Sequence, residues 1–116
     1  MKRLSLLVAA VFVLCLLCGC VAQKRELWLE GVCLVADSGS ILLVAKDEPI
    51  VLHDRSGDGL LEGIQTGDRV RVLHDGLAES FPAQAGIYKL VKTGEGSIDD
   101  ISPKTLDMLR QLGWLN

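Results

Sequence analysis

Arg69-Val70-Arg71-Val72-Leu73-His74 alternates at a period of two, with Val70, Val72 and His74 on one face and the arginines on the other. Successive side chains of a strand point to opposite faces, so this stretch reads as a half-buried strand with a core on one side and water on the other. Short apolar runs bounded by turn residues lie on either side of it. Residues 27–36 read as a first strand, and Ser38-Gly39-Ser40 as the tight connection to a second, Ile41-Leu42-Leu43-Val44-Ala45, the two forming a hairpin. After Lys46-Asp47-Glu48-Pro49, residues 50–53 make a short third strand, with Pro49 at its first position, where no ladder donor is required. Asp54 to Asp68 is a polar, glycine-punctuated loop that carries Leu60, Leu61 and Ile64 as an inward-facing turn of helix. Residues 87–92 supply a fifth strand. Short strands separated by turns rich in Gly, Asp and Ser predict a mainly β fold, a small closed or nearly closed five-stranded barrel.

The tail, residues 94–116, reads as a linker and a C-terminal helix. Ser102-Pro103 has the form of an N-cap with proline at the first helical position, and Leu106, Leu109 and Leu112 recur at helical spacing before Gly113 ends the run. Such a helix patches an open end or face of the barrel. Trp114 and Leu115 then fold back onto the domain, or else Trp114 is an exposed docking point.

The other end of the chain carries an address. Met1-Lys2-Arg3 is followed by an apolar stretch from Leu4 to Leu17 and by Cys18-Gly19-Cys20. The stretch is shorter than the roughly 20 residues of a spanning helix and suits a helical signal segment, residues 1–19. Leu17-Cys18-Gly19-Cys20 resembles a bacterial lipobox, with cleavage between Gly19 and Cys20. That resemblance implies a diacylglyceryl thioether and an N-acyl chain on Cys20, a lipidated tether over 20–26, and a domain held at the extracytoplasmic face of the cell membrane. Two acyl chains give stable anchoring where one gives marginal binding. The competing reading is an uncleaved anchor from Leu4 to Val21. Lys24-Arg25 is placed to meet anionic lipid beside the anchor.

Removing the leader takes away Lys2 and Arg3 but none of the 15 acidic residues, so the net charge moves from −3 to about −5. An acidic domain without a basic stripe excludes nucleic acid as the expected partner. Cys15 and Cys18 leave with the signal and Cys20 is committed to lipid, so Cys33 survives alone, inside Gly31-Val32-Cys33-Leu34-Val35, as a buried small hydrophobe.

Asp75-Gly76-Leu77-Ala78-Glu79-Ser80-Phe81-Pro82-Ala83-Gln84, preceded by Gly67-Asp68-Arg69-Val70-Arg71-Val72, resembles a domain of unknown function found in small Gram-positive lipoproteins. The resemblance implies an OB-like barrel over residues 27–93 and no assigned chemistry. Within the segment, Glu79, Ser80 and Gln84 are able to bond neighbouring backbone, and Phe81-Pro82 is a rigid step open to a cis bond. It pins the crossing between strands four and five, or, with Glu79, Phe81 and Gln84 as contacts, forms a binding surface at the barrel mouth.

Asp54-Arg55-Ser56-Gly57-Asp58-Gly59-Leu60-Leu61-Glu62 follows a calcium loop, with Asp54, Ser56, Asp58 and Glu62 at ligand positions, but Gln65 stands where a bidentate Glu belongs. An Asp/Gly/Ser turn is the simpler reading, weak calcium binding the alternative; no other metal or cofactor is expected. Val-Leu-His-Asp occurs twice, at 51–54 and 72–75, as two strands ending before turns. A Ser80, His74, Asp75 hydrolase is disfavoured, because adjacent strand residues face opposite ways. The expectation is therefore a non-enzymatic, membrane-anchored binding or accessory module for an envelope component or protein. The alternative is a structural or regulatory lipoprotein docked on a membrane complex.

Overall fold

The computed structural model describes residues 27 to 116; the expected signal segment, the Gly19/Cys20 cleavage and lipidation site, and the tether lie outside them. Five strands form: β1 Leu27–Val35, β2 Ile41–Ala45, β3 Glu48–Asp54, β4 Arg69–Ala78 and β5 Ala83–Gly94. A short 3₁₀ turn, Ile98–Asp100, and helix α1, Pro103–Gln111, follow. The strands close into a barrel in the order β1-β2-β3-β5-β4, with β3 and β5 parallel and the other pairs antiparallel. A three-strand meander closed by a two-strand hairpin in this order is an OB-like barrel, mainly β with one C-terminal helix.

β1 serves both halves of the barrel. Leu27 to Val32 pair with β4, and Val32 to Val35 pair with β2. Gly31 stands at the changeover, where an added Cβ would run into the Val44 carbonyl; only glycine lets β1 pass this close to β2.

The strands of the meander are apolar on both faces. Cys33, Leu43, Ile50 and Leu52 point into the barrel with Val70, Val72, Ala85 and Ile87. Val32, Leu34, Leu42, Val44 and Val51 point outward, beneath Ile101 and Leu109. Two-sided burial is the physical reason these strands read as unbroken apolar runs, whereas β4 alternates. Leu60, Leu61 and Ile64 pack against the inner cluster, as the expected inward-facing turn. It is a hydrogen-bonded turn rather than a helix, with the Glu62 N–H donating to the Gly59 carbonyl at 3.2 Å.

Helix α1 crosses the outer face of the meander. Near its start the Thr105 hydroxyl donates to the Asp47 carbonyl in the β2–β3 turn at 3.0 Å. Beyond its end the Asp37 N–H in the β1–β2 turn donates to the Trp114 carbonyl at 3.1 Å. Pro103 takes the first helical position, but the Ser102 side chain makes no cap bond; its carbonyl accepts from the Leu106 N–H. Of the expected Leu106/Leu109/Leu112 stripe, Leu106 and Leu109 pack against the outer cluster with Thr105 buried beside them, whereas Leu112, at the C-cap, is exposed.

Three strand ends also differ from expectation. The β2–β3 connection is only Lys46-Asp47, both left-handed (φ 49° and 65°), so the hairpin is tighter and Pro49 is the second residue of β3, buried opposite Val44. β4 runs on to Ala78 through a bulge. β5 begins at Ala83 rather than at Ile87, because parallel pairing of Ala83 to Ile87 with β3 supplies ladder partners that local sequence does not reveal.

Candidate functional site

A polar concavity lies where β3, β5 and the end of β4 meet. It is a groove of about 480 Å³, lined by His53, Arg55, Asp75 and Gln84 and floored by Gly76 and Gly86. Its shape comes from a β-bulge. Between the pairs His74↔Ile87 and Leu77↔Ala85, β4 carries one more residue than β5, and Gly76 takes φ 133° to absorb it. The bulge re-aims Asp75, whose carboxylate accepts from the Tyr88 hydroxyl at 3.1 Å. That hydrogen bond, together with the negative charge of Asp75, raises the Tyr88 phenol above its ordinary pKa.

Opposite, His53 Nε2 lies 2.9 Å from Gln84 Oε1, across the parallel β3/β5 ladder. The Arg55 N–H extends that ladder by donating to the Ile87 carbonyl at 2.9 Å. Gly86 leaves room for the Arg55 stem: a Cβ there would approach Arg55 Cγ to 2.9 Å. The groove thus presents an imidazole, an amide and a carboxylate on strands, and a guanidinium just beyond the end of β3, suited to hydrogen-bonding a polar partner.

Of the residues expected at the barrel mouth, Gln84 lines this groove, Phe81 is 57% exposed on the neighbouring loop, and Glu79 is exposed on that loop outside the groove lining. Gln84 bonds His53 rather than the backbone; Ser80 alone of the three bonds locally, donating to the Pro82 carbonyl at 2.8 Å. The Phe81-Pro82 bond is cis. Trp114 is not part of this surface. It is half-buried against the outer cluster and its carbonyl accepts from the β1–β2 turn, so the chain folds back onto the domain here. Arg55, Tyr88 and Gly86 escaped sequence reasoning; the signal present was the repeated His-Asp, which places His53 on one side and Asp75 on the other.

Of the four expected calcium ligands, the side chains of Asp54 and Ser56 are engaged within the turn. Asp54 Oδ1 accepts from the Ser56 hydroxyl at 2.6 Å and N–H at 2.8 Å, and Oδ2 accepts from the Leu60 N–H at 2.8 Å. The Ser56 bonds, first, hold the Asp54 carboxyl below the usual carboxylate range. The Ser56 hydroxyl in turn accepts from the Asp58 N–H. This is the Asx-type turn of the simpler reading. Among the described residues no three His, Cys, Asp or Glu side chains converge as metal ligands. The hydrolase trio is likewise not assembled: His74 Nδ1 accepts from the Gly76 N–H, and Ser80 is bonded to its own loop. Cys33 is fully buried, and burial, with the nearby Asp68 charge, pushes its thiol up to about 12.

No protein-family model matches the chain, and neither a curated protein nor a solved structure matches it.

Proposed function

We propose that this protein is a lipid-anchored, extracytoplasmic binding or accessory module, held to the membrane through Cys20, whose groove at the β3/β5 seam engages an envelope component or another protein. The observation that carries the binding half is the groove itself: His53, Gln84 and Asp75 converge there on strands beside Arg55, with His53 paired to Gln84 and Asp75 to Tyr88. The address rests on Leu17-Cys18-Gly19-Cys20 and on the resemblance of residues 67–84 to small lipoproteins.

Two measurements test the reading. Mass spectrometry of the membrane-fraction protein is expected to show Cys20 as the first residue, carrying the diacylglyceryl mass; an intact Met1 overturns the address. A photo-crosslinking residue in place of Gln84 is expected to capture a discrete species in intact cells, lost on Arg55→Ala, while the same residue at Ser38 captures none. Equal capture from both positions overturns the groove.

A further inference from the structure

We infer that the end of the barrel from which the tether leaves docks on the lipid bilayer itself, through an apolar rim made by Leu27, Trp28, Leu77 and Phe81. This inference rests on the lipid-anchor reading of Cys20. Strand directions put these residues together. β1 runs antiparallel to β4, so the chain preceding Leu27 leaves toward the end where Leu77 and Ala78 finish β4 and where the Glu79–Pro82 loop turns. The β2–β3 turn, Lys46-Asp47, reaches the same end, and a cleft of about 410 Å³ opens there between Trp28, Leu29, Lys46, Ile50 and Leu77.

Leu27, Leu77 and Phe81 are 41%, 45% and 57% exposed. They are large apolar side chains left in water, gathered at one end. The tether says what covers them. From Cys20 to Leu27 an extended chain spans at most about 25 Å. A lipid in the bilayer therefore keeps this end within about 25 Å of the membrane, near enough to reach it. Trp28 is half-buried, with the Arg71 guanidinium 4.9 Å above its ring, an aromatic of the type that settles at headgroup level. Glu30, Asp47, Glu48 and Glu79 outnumber Lys46 and Arg71 at this end of the barrel, so contact of the barrel itself comes from insertion of the apolar rim.

The test uses the full-length lipoprotein, purified from membranes and reconstituted into phosphatidylcholine/phosphatidylglycerol vesicles, with a nitroxide on Ala78→Cys or on Ser38→Cys. Buried Cys33 does not compete for label. Collisions with dissolved oxygen relative to a polar nickel chelate are expected to be several-fold higher at position 78 than at 38. The ratio at 78 is expected to fall to that of 38 when Leu77→Asp and Phe81→Asp are added. Equal aqueous ratios at both positions, in protein whose mass includes the diacylglyceryl group, overturn the docking and leave the anchor intact. A mass lacking that group overturns the anchor and the docking with it.

Discussion

The two walls of this barrel are built on different terms. The β1–β3 meander buries side chains on both faces, the inner against β4 and β5 and the outer beneath Ile101 and α1. The β4–β5 hairpin buries one face only: Val70, Val72, Ala85 and Ile87 point in, while Arg69, Arg71, Tyr88 and Val91 meet solvent. The first wall is a structural layer between two cores. The second is free to carry the bulge and the polar groove, since its outer face has no packing to protect.

The sharpest way to break this contrast is to remove residues 102 to 116. That uncovers Val32, Leu34, Leu42, Val44 and Val51 and takes away Leu109. Burial of each such side chain is worth about 1.5–3 kcal/mol, and a domain has only about 5–15 kcal/mol in total. The truncated protein is expected to be insoluble or unfolded by circular dichroism. A soluble barrel with a cooperative melt would show that the meander stands without its cover.

A matched pair of substitutions sharpens the contrast next. At Gly31 an added methyl meets the Val44 backbone, which cannot swing aside, whereas at Gly94, on β5, the nearest atom is Arg69 Cδ at 3.6 Å, an ordinary contact. Gly31→Ala is expected to cost about 3 kcal/mol or more by urea unfolding, and Gly94→Ala about 0.5 kcal/mol or less. Similar costs at the two glycines would mean that β1 is not pinned at its changeover.

Much of this was legible in the chain. Period-two alternation from Arg69 to His74 identified the one-sided wall, and unbroken apolar runs at 32–35 and 41–45 marked the other, because side-chain burial leaves its period in the sequence. Position along an element was harder. Ala83 and Gln84 look like loop because their strand character comes from parallel pairing with Ile50 and Val51, residues far away in sequence. The inward side of α1 was legible through Leu106 and Leu109, but Thr105 was missed, because this polar residue is buried through its bond to the Asp47 carbonyl, a partner no helical periodicity reports. The groove was half legible: Gln84 stood out, but Arg55 joins it through the bond of its N–H to the Ile87 carbonyl, and Tyr88 reaches Asp75 across the bulge, contacts between residues far apart in sequence.

Asp68 links the walls and gives the contrast a pH dependence. Its carbonyl accepts from the Cys33 N–H of β1 at 2.7 Å, and its carboxylate accepts from the Gln65 N–H at 2.9 Å and faces Lys92 Nζ of β5 at 3.4 Å. The Gln65 bond first, and Lys92 with it, hold the carboxyl below its ordinary range in the folded protein. A lowered folded pKa stabilises above the unfolded value, near 3.9, and that contribution is lost as pH falls through the folded value. Melting temperature is therefore expected to drop from about pH 5 downward, with a shallower acid limb in Asp68→Asn. Asp54 supplies part of the remaining slope. An unchanged limb would place the acid sensitivity elsewhere.

The smallest effects lie on the solvent face of β4, where two arginines, two residues apart, are held by different forces. Arg69 is 3.3 Å from Asp100, with both side chains substantially exposed, and such a pair is worth at most about 0.5 kcal/mol and weakens in salt. Arg71 lies over Trp28, 4.9 Å from the ring centroid, at the part of β1 that has left the two-sided wall. An exposed cation–π contact is worth about 0.5–1 kcal/mol, and the stem of the arginine also covers the ring. Arg71→Ala is therefore expected to cost more than Arg69→Ala, and to keep its cost at high salt while that of Arg69→Ala vanishes. If instead salt erases both, the outer face of the hairpin wall is held by charge alone, and the stretch of β1 from Leu27 to Gly31 owes its position to backbone pairing with β4 rather than to its side chains.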